Sequence, residues 1–209
     1  MRVAVVGGTG PFGKALALRL HDAGHQVVIG SRDAERAATT AAELGVGGAE
    51  NEAAVESADL VVLATKADAA IATARELGSA IGSTPVLCVA SELRFTPGGV
   101  EPSEDAVSLA EHVQEVVEGP VVAGLHSLAA SNLAGDELPD EDALVCGDDE
   151  SAKEKALELA AALTTGNGVD AGPLACARTL EGMTAVLVNV NRRYKIHAGI
   201  RVSGLDRRR

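Results

Sequence analysis

Short apolar runs rich in Val, Leu and Ile alternate along this chain with Ala-rich stretches whose apolar residues recur at helical spacing. The runs predict strands at Val3–Val6, Val27–Ile29, Leu60–Ala64, Pro85–Ala90, Pro120–Leu125 and Ala143–Cys146, with a short seventh over Gly168–Ala171. The stretches between them predict helices over Gly13–Ala23, Ala34–Leu44, Asp68–Ile81, Glu104–Val117, Glu150–Leu163 and Leu174–Arg192. Strands apolar on both faces and separated by helices describe an α/β protein with a parallel, doubly wound sheet. End chemistry agrees: Gly24 and Gly45 stand where C-terminal caps are expected, and Asp33 and Ser103 where N-caps are. Two stretches break the alternation. Ser91–Pro102, which holds Thr96-Pro97-Gly98-Gly99, and Ser127–Glu141 both read as loops at the carboxyl ends of strands, where open α/β sheets bind their ligands. Gly45–Ser57 is short for a full crossover and has room for one brief helix.

The opening segment narrows the chemistry. A strand, the turn Gly7-Gly8-Thr9-Gly10-Pro11-Phe12-Gly13, the amphipathic run Lys14–Ala23 and a second strand fit within one βαβ length. In that context the G-x-G-x-x-G pattern of Gly8, Gly10 and Gly13 is a dinucleotide-binding signature. Gly8 is expected at the tight turn, Gly10 where the backbone approaches a pyrophosphate, and Gly13 where the helix packs close to the strand. Thr9 adds a hydroxyl, and the helix N-terminus adds unsatisfied N–H groups and a partial positive charge. Pro11 removes one donor, so the remaining amides must carry the phosphate. The second strand ends in Gly30-Ser31-Arg32, with Arg36 one helical turn further on. A site for NAD usually places Asp or Glu at this tip. A hydroxyl and two guanidinium groups suit a 2′-phosphate instead, which makes NADP(H) the expected cofactor. The competing reading makes Arg32 and Arg36 surface charges paired with Asp33 or Glu35.

Other strand tips offer further candidates. Thr65-Lys66 ends the third predicted strand and Ala90-Ser91 the fourth, and such tips flank the ribose and nicotinamide in this architecture. Lys66 is placed to meet a phosphate, an acidic substrate or solvent. His126 ends the fifth strand and is expected to contact a ligand rather than to act as a general acid.

Composition excludes several classes. Hydrophobic residues make up 46% of the 209 and aromatics 1%, so the core must be built from Ala, Val and Leu. A net charge of −12 argues against nucleic acid or an anionic membrane as partner and requires a local basic pocket for an anionic cofactor. No apolar stretch approaches the roughly 20 residues that cross a bilayer. Met1 leads straight into the first strand, leaving no room for a signal peptide. Cys88, Cys146 and Cys176 lack metal-type spacing, so a reduced, cytoplasmic protein without zinc is expected. The Arg207-Arg208-Arg209 end reads as a solvated tail. A short-chain dehydrogenase would need Tyr followed by Lys four residues on, but Tyr194 is followed there by Ala198. No nucleophile elbow is present. What remains is a dinucleotide cleft without evident acid–base machinery, suited to a reaction that moves only a hydride.

The chain resembles the NADPH-dependent reductases of the deazaflavin coenzyme F420 over nearly its whole length. Met1-Arg2-Val3-Ala4, Gly7-Gly8-Thr9-Gly10, Gly13-Lys14, Gly30-Ser31-Arg32 and Leu125-His126 fit that family. The later motifs are more specific: Val145-Cys146-Gly147-Asp148-Asp149, and Asp170-Ala171-Gly172-Pro173-Leu174 followed by Arg178 and Glu181. The resemblance implies hydride exchange between the nicotinamide C4 and the deazaflavin C5, in a homodimer of Rossmann-type subunits with a small C-terminal α/β appendage. Residues 1–125 would then bind NADP and 126–209 complete the substrate cleft, with a soft boundary that the sheet can cross. By the same resemblance, Thr9, Gly10, Pro11 and Phe12 would hold the pyrophosphate, and Ser31, Arg32 and Arg36 the 2′-phosphate. Thr65, Ser91 and Ala130 would line the ribose and nicotinamide, and His126 would sit near the deazaflavin. Departures at Pro11, Lys66-Ala67, Val89-Ala90-Ser91-Glu92 and Ala129, with a shorter segment around Gly45–Asn51, fall largely on the nicotinamide and deazaflavin side. An NADPH-dependent reductase of another small substrate, such as an imine or ketone, and a non-catalytic NADP sensor are the alternatives.

Overall fold

A computed structural model of the chain describes residues 1–205, so the Arg207–Arg209 tail lies outside the described residues. The elements run β1 (Arg2–Val6), α1 (Pro11–Asp22), β2 (Gln26–Ser31), α2 (Ala34–Leu44), β3 (Gly47–Glu50), α3 (Asn51–Val55), β4 (Leu60–Leu63), α4 (Ala67–Ile81) and β5 (Val86–Cys88). There follow β6 (Leu93–Thr96), β7 (Gly99–Pro102), α5 (Leu109–Gln114), β8 (Val121–Gly124), α6 (Ala130–Leu133), β9 (Ala143–Gly147), α7 (Glu150–Ala162), β10 (Gly168–Asp170), a 3₁₀ turn (Leu174–Cys176) and α8 (Ala177–Tyr194).

Eight strands form one sheet in the order β10-β9-β8-β5-β4-β1-β2-β3. From β3 to β8 the pairing is parallel, in the six-stranded order of a dinucleotide-binding α/β fold. Side-chain alternation explains why the strands read as unbroken apolar runs. Val3, Val5, Leu60 and Val62 pack on one face with Leu16 and Leu20 of α1 and Leu159 of α7. Ala4, Val6, Val61 and Leu63 pack on the other with Leu77 and Ile81 of α4, Val113 of α5 and Leu180 of α8. Both faces are covered, as a parallel sheet requires.

The structure departs from the sequence expectations in several places. The sheet is not parallel throughout: β9 pairs antiparallel with β8, and β10 runs parallel to β9. The connection from β8 to β9 carries only the short helix α6, rather than a helical crossover that would return the chain to the same edge. The expected loop Ser91–Pro102 contains a β-hairpin, β6 with β7, turning at Pro97-Gly98. Ser103 caps no helix. Its side chain accepts from the Asp105 amide, and the helix starts later, at Leu109, with Ser108 and Glu111 forming a reciprocal capping box. The segment Gly45–Ser57 holds the brief helix α3 and also the edge strand β3. A Cβ at Gly48 would lie 2.6 Å from the Ala37 carbonyl oxygen, so α2 packs directly on a strand that carries almost no side chains. The Leu174–Arg192 helix begins as a 3₁₀ turn and continues to Tyr194. Asp33 and Gly45 cap α2 as expected: Asp33 accepts from the Arg36 amide, and Gly45 has φ 70°.

Candidate functional site

The turn after β1 is shaped by backbone crowding. Gly7 has φ 83°, and a Cβ there would lie 2.7 Å from the carbonyl oxygen of Ala64 at the tip of β4. The sharp bend therefore belongs to Gly7, not to Gly8; Gly8 is instead closely covered by Ile29 and the Val5 carbonyl. At Gly13 a Cβ would sit 2.6 Å from the Gly7 carbonyl oxygen, so α1 can begin against the turn only without a side chain. Gly10 is the N-cap of α1, and Pro11 follows at its first position, where a missing N–H is harmless. The Lys14 amide closes the first helical bond on the Gly10 carbonyl at 2.9 Å. The amides of Phe12 and Gly13 ahead of it are those a helix leaves without an intrahelical partner. The Phe12 ring is half-buried and packs against the core.

A cleft of about 600 Å³ opens beside this turn, lined by Gly7, Thr9, Gly10, Ser31, Arg32, Arg36, Asn51, Ala64, Thr65, Lys66, Asp68, Ala69 and Thr73. It lies at the carboxyl ends of β1, β2 and β4, where the strand order switches and dinucleotides bind. Arg32 and Arg36 are exposed, and neither guanidinium has an ion pair or hydrogen bond among the described residues. The pairing with Asp33 or Glu35 does not form. The Asp33 carboxylate accepts from the Arg36 backbone, and the Asp33 amide donates to the Ser31 hydroxyl. Two unpaired cations at the rim of an acidic protein supply the local positive field an anion needs. Asn51, at the start of α3, also lines the cleft; it is buried, and its side-chain oxygen has no partner. Sequence reading missed it because β3, which carries it to this edge, lacks an apolar pattern.

Thr65 and Lys66 continue into a second cavity of about 530 Å³, lined also by Ala67, Asp68, Ala90, Ser91, Glu92, Leu93 and Phe95. The Thr65 hydroxyl is buried without a partner, and Lys66 is exposed with none among the described residues. The hairpin contributes Leu93 and the 70% exposed Phe95, against which the Arg192 guanidinium lies 5.7 Å from the ring centre. The Ser91 hydroxyl is 2.9 Å from that of Thr184 on α8, and the Thr184 hydroxyl donates to the His126 carbonyl at 2.9 Å. His126 follows Leu125, whose φ of 65° is unusual for a branched residue and turns the chain sharply at the end of β8.

His126 is 7% exposed and packs in a separate small pocket with Ser127, Leu144, Leu180 and Met183. Burial pushes its pKa down to about 4; a nearby backbone group of Ala90 opposes this weakly, and neither ring nitrogen has a well-formed hydrogen bond. The imidazole is therefore neutral at physiological pH. Ala130 opens α6 and lines neither cavity.

The late motifs hold the frame. Asp148 accepts from the Leu174 amide at 2.9 Å, Asp149 caps α7, and Asp170 accepts from Gly172 and pairs with Lys153 at 3.0 Å. Arg178 donates to the carbonyls of Ser103 and Asp105, strapping the segment after the hairpin to α8. Glu181 is 1% exposed, accepts from the Ala110 amide at the start of α5, and lies 3.7 Å from Arg178. Burial raises its pKa to about 7, although the backbone bonds and Arg178 oppose the rise. Among the described residues no His, Cys, Asp or Glu group could hold a metal, and no helix is long and apolar enough to cross a membrane.

Known proteins resemble this chain in sequence and in fold. Residues 2–89 match the model of a family described as NADP oxidoreductase, coenzyme F420-dependent. A solved structure of a putative F420-dependent NADP reductase from Arthrobacter sp. FB24 superposes with a TM-score of 0.85 at 26% identity, covering 97% of this chain and 99% of that one. The F420-dependent NADP reductase of Methanothermobacter marburgensis is 34% identical over 98% of this chain and 99% of its own length. That of Methanocaldococcus jannaschii is 31% identical over 99% of this chain and all of its own. With such identity sustained from end to end, the chain belongs to the F420-dependent NADP reductase family.

Proposed function

We propose that this protein transfers a hydride between NADP(H) and coenzyme F420. The observation that carries the reading is the pair of unpaired guanidinium groups, Arg32 and Arg36, at the rim of a glycine-built cleft that runs on to Thr65 and Ser91. The cleft fits the dinucleotide on its own evidence: bare backbone at Gly10, an orphaned hydroxyl at Thr65 and an orphaned amide oxygen at Asn51. Arg32, Arg36 and Ser31 would take the 2′-phosphate, and the turn with its helix N-terminus the pyrophosphate. Pro11 and Phe12 act through the backbone they shape. Thr65 and Ser91 would meet the ribose and nicotinamide, Ala130 would border that end, and Lys66 stands at the mouth between the cavities.

When bound, NADPH supplies the hydride from C4 of its ring; the deazaflavin receives it at C5, with a proton from solvent. The chain's task is positioning, which can account for much of the barrier to such a transfer. His126 suits this role, since it is buried in its own pocket behind this end of the cleft and is held neutral, adding no charge there. In this reading residues 1–125 hold NADP, and residues 126–209 close the deazaflavin side through α8 and the turn at His126. We further propose a cytoplasmic homodimer. The 58% exposed Val186 on α8, beside an apolar hollow with Gly182 and Met183, supports pairing, and three unpaired cysteines suit a reducing compartment.

Mixing the protein with NADPH and oxidised F420 and following the deazaflavin absorbance tests the reading. Loss of the band, faster with NADPH than with NADH, is expected. NADPH binding without loss of the band would reassign the second substrate.

A further inference from the structure

The hydroxyl chain behind the second cavity has a direction that proton counting sets. A threonine hydroxyl carries one proton. That of Thr184 goes to the His126 carbonyl, which can only accept. The 2.9 Å contact between Ser91 and Thr184 therefore requires Ser91 to be the donor. With its single proton committed to α8, Ser91 faces the cavity with lone pairs only. The commitment is built into the fold. Leu125 turns the chain at positive φ just before His126, and Thr184 stands on the long helix α8, between the tips of β5 and β8.

We propose that Thr184 is a positioning and specificity-determining residue: it locks Ser91 as a hydrogen-bond acceptor, so that the site takes an N–H donor from the nicotinamide carboxamide and sets which way that amide points. The proposal rests on the cofactor reading above. Ser91 belongs to the half of the sheet, beyond the switch point, that takes the nicotinamide end of a dinucleotide in this fold. A carboxamide presents a carbonyl and an NH₂ that differ only by a half-turn about one bond, and an acceptor-only partner selects the NH₂. Fixing the amide holds the plane of the ring it is conjugated with, which is how the relay would bear on hydride transfer.

The test compares equilibrium binding of NADP⁺ with that of its 3-acetylpyridine analogue, in which a methyl ketone replaces the carboxamide and no N–H is offered. Calorimetry on the intact wild-type chain and on Thr184→Val, Thr184→Ser and Ser91→Ala gives a preference ratio for each. The wild type is expected to favour NADP⁺ about three- to tenfold, the worth of one neutral hydrogen bond. In Thr184→Val the freed Ser91 proton can serve the ketone, and the ratio should collapse toward one. Thr184→Ser restores the relay and should restore the ratio. Ser91→Ala removes the acceptor without touching α8 and should also lose the preference. A wild-type ratio near one, or a Thr184→Val ratio equal to the wild type's, overturns the proposal. Failure of the wild type to bind NADP⁺ at all would instead overturn the cofactor reading.

Discussion

The two halves of the cleft solve opposite electrostatic problems. Beside β2, the groups at the rim of the cleft are charged, exposed and unpaired: Arg32 and Arg36 have no partner among the described residues. Beyond β4, several polar groups are buried, namely the unpartnered Thr65 hydroxyl, the neutral His126 and Glu181 beneath α5, while Lys66, Asp68 and Glu92 stay exposed at the rim. Exposed charges recognise a phosphate at little desolvation penalty and set affinity. Behind the second cavity, a buried hydroxyl and a neutral imidazole suit ring stacking and hydride movement, and the charges of Lys66, Asp68 and Glu92 are kept to its exposed rim. In the proposed reading, recognition and chemistry sit at opposite ends of one sheet edge.

The contrast is most severely broken at the turn both halves share. Gly13→Val forces side-chain atoms against the Gly7 carbonyl and is expected to lower stability by about 3 kcal/mol in urea denaturation. NADPH binding by calorimetry should be lost with it.

Glu181→Gln tests the buried half. A carboxyl whose pKa rises on folding keeps its proton longer in the native state, so the native state binds more protons than the unfolded one between the ordinary carboxylate range and about pH 7. Its stability contribution is present below that window and is lost as pH rises through it. The variant should remove this slope. Relative to it, the wild type should lose at most about 3 kcal/mol between pH 4.5 and 8, read from denaturation midpoints.

Arg32→Ala probes the charged half. Loss of a charge-assisted phosphate contact should weaken NADPH by about 1.5–3 kcal/mol and leave NADH unchanged in paired titrations. Equal weakening of both would remove Arg32 from the 2′-phosphate site. Arg36→Lys keeps the charge but loses the planar fork, and a smaller effect, under about 1 kcal/mol, is expected in the same titrations. The least change is expected at His126. By NMR its ring protons should keep their neutral shifts from pH 8 down to about pH 5.5, well above the lowered pKa. A titration near the ordinary histidine value would show the pocket to be wet.

Legibility followed the range of the interactions. The glycine turn, the Asp33 cap and the basic tip of β2 were readable because each is written in a few consecutive residues. Leu93-Arg94-Phe95-Thr96, followed by Pro97-Gly98, carried a hairpin signal in its alternation, masked by the expectation of a ligand-binding loop. β3 was hidden because α2 packs so closely that glycines replace the apolar residues by which strands are recognised. Ser103 and Ser108 are equally good caps in isolation, and Glu111 decides between them by closing the box.

The sequence by itself determined the layered α/β plan, the family, the glycine turn and the basic tip of β2, because turn, helix and strand there are contiguous and their patterns are local. Only the tertiary structure decided the reversed direction of β9 and β10, the burial that keeps His126 neutral, and the hydroxyl relay from Ser91 through Thr184 to the His126 carbonyl. Strand direction, desolvation and proton direction depend on which distant segments the fold brings into contact, and no local pattern records that.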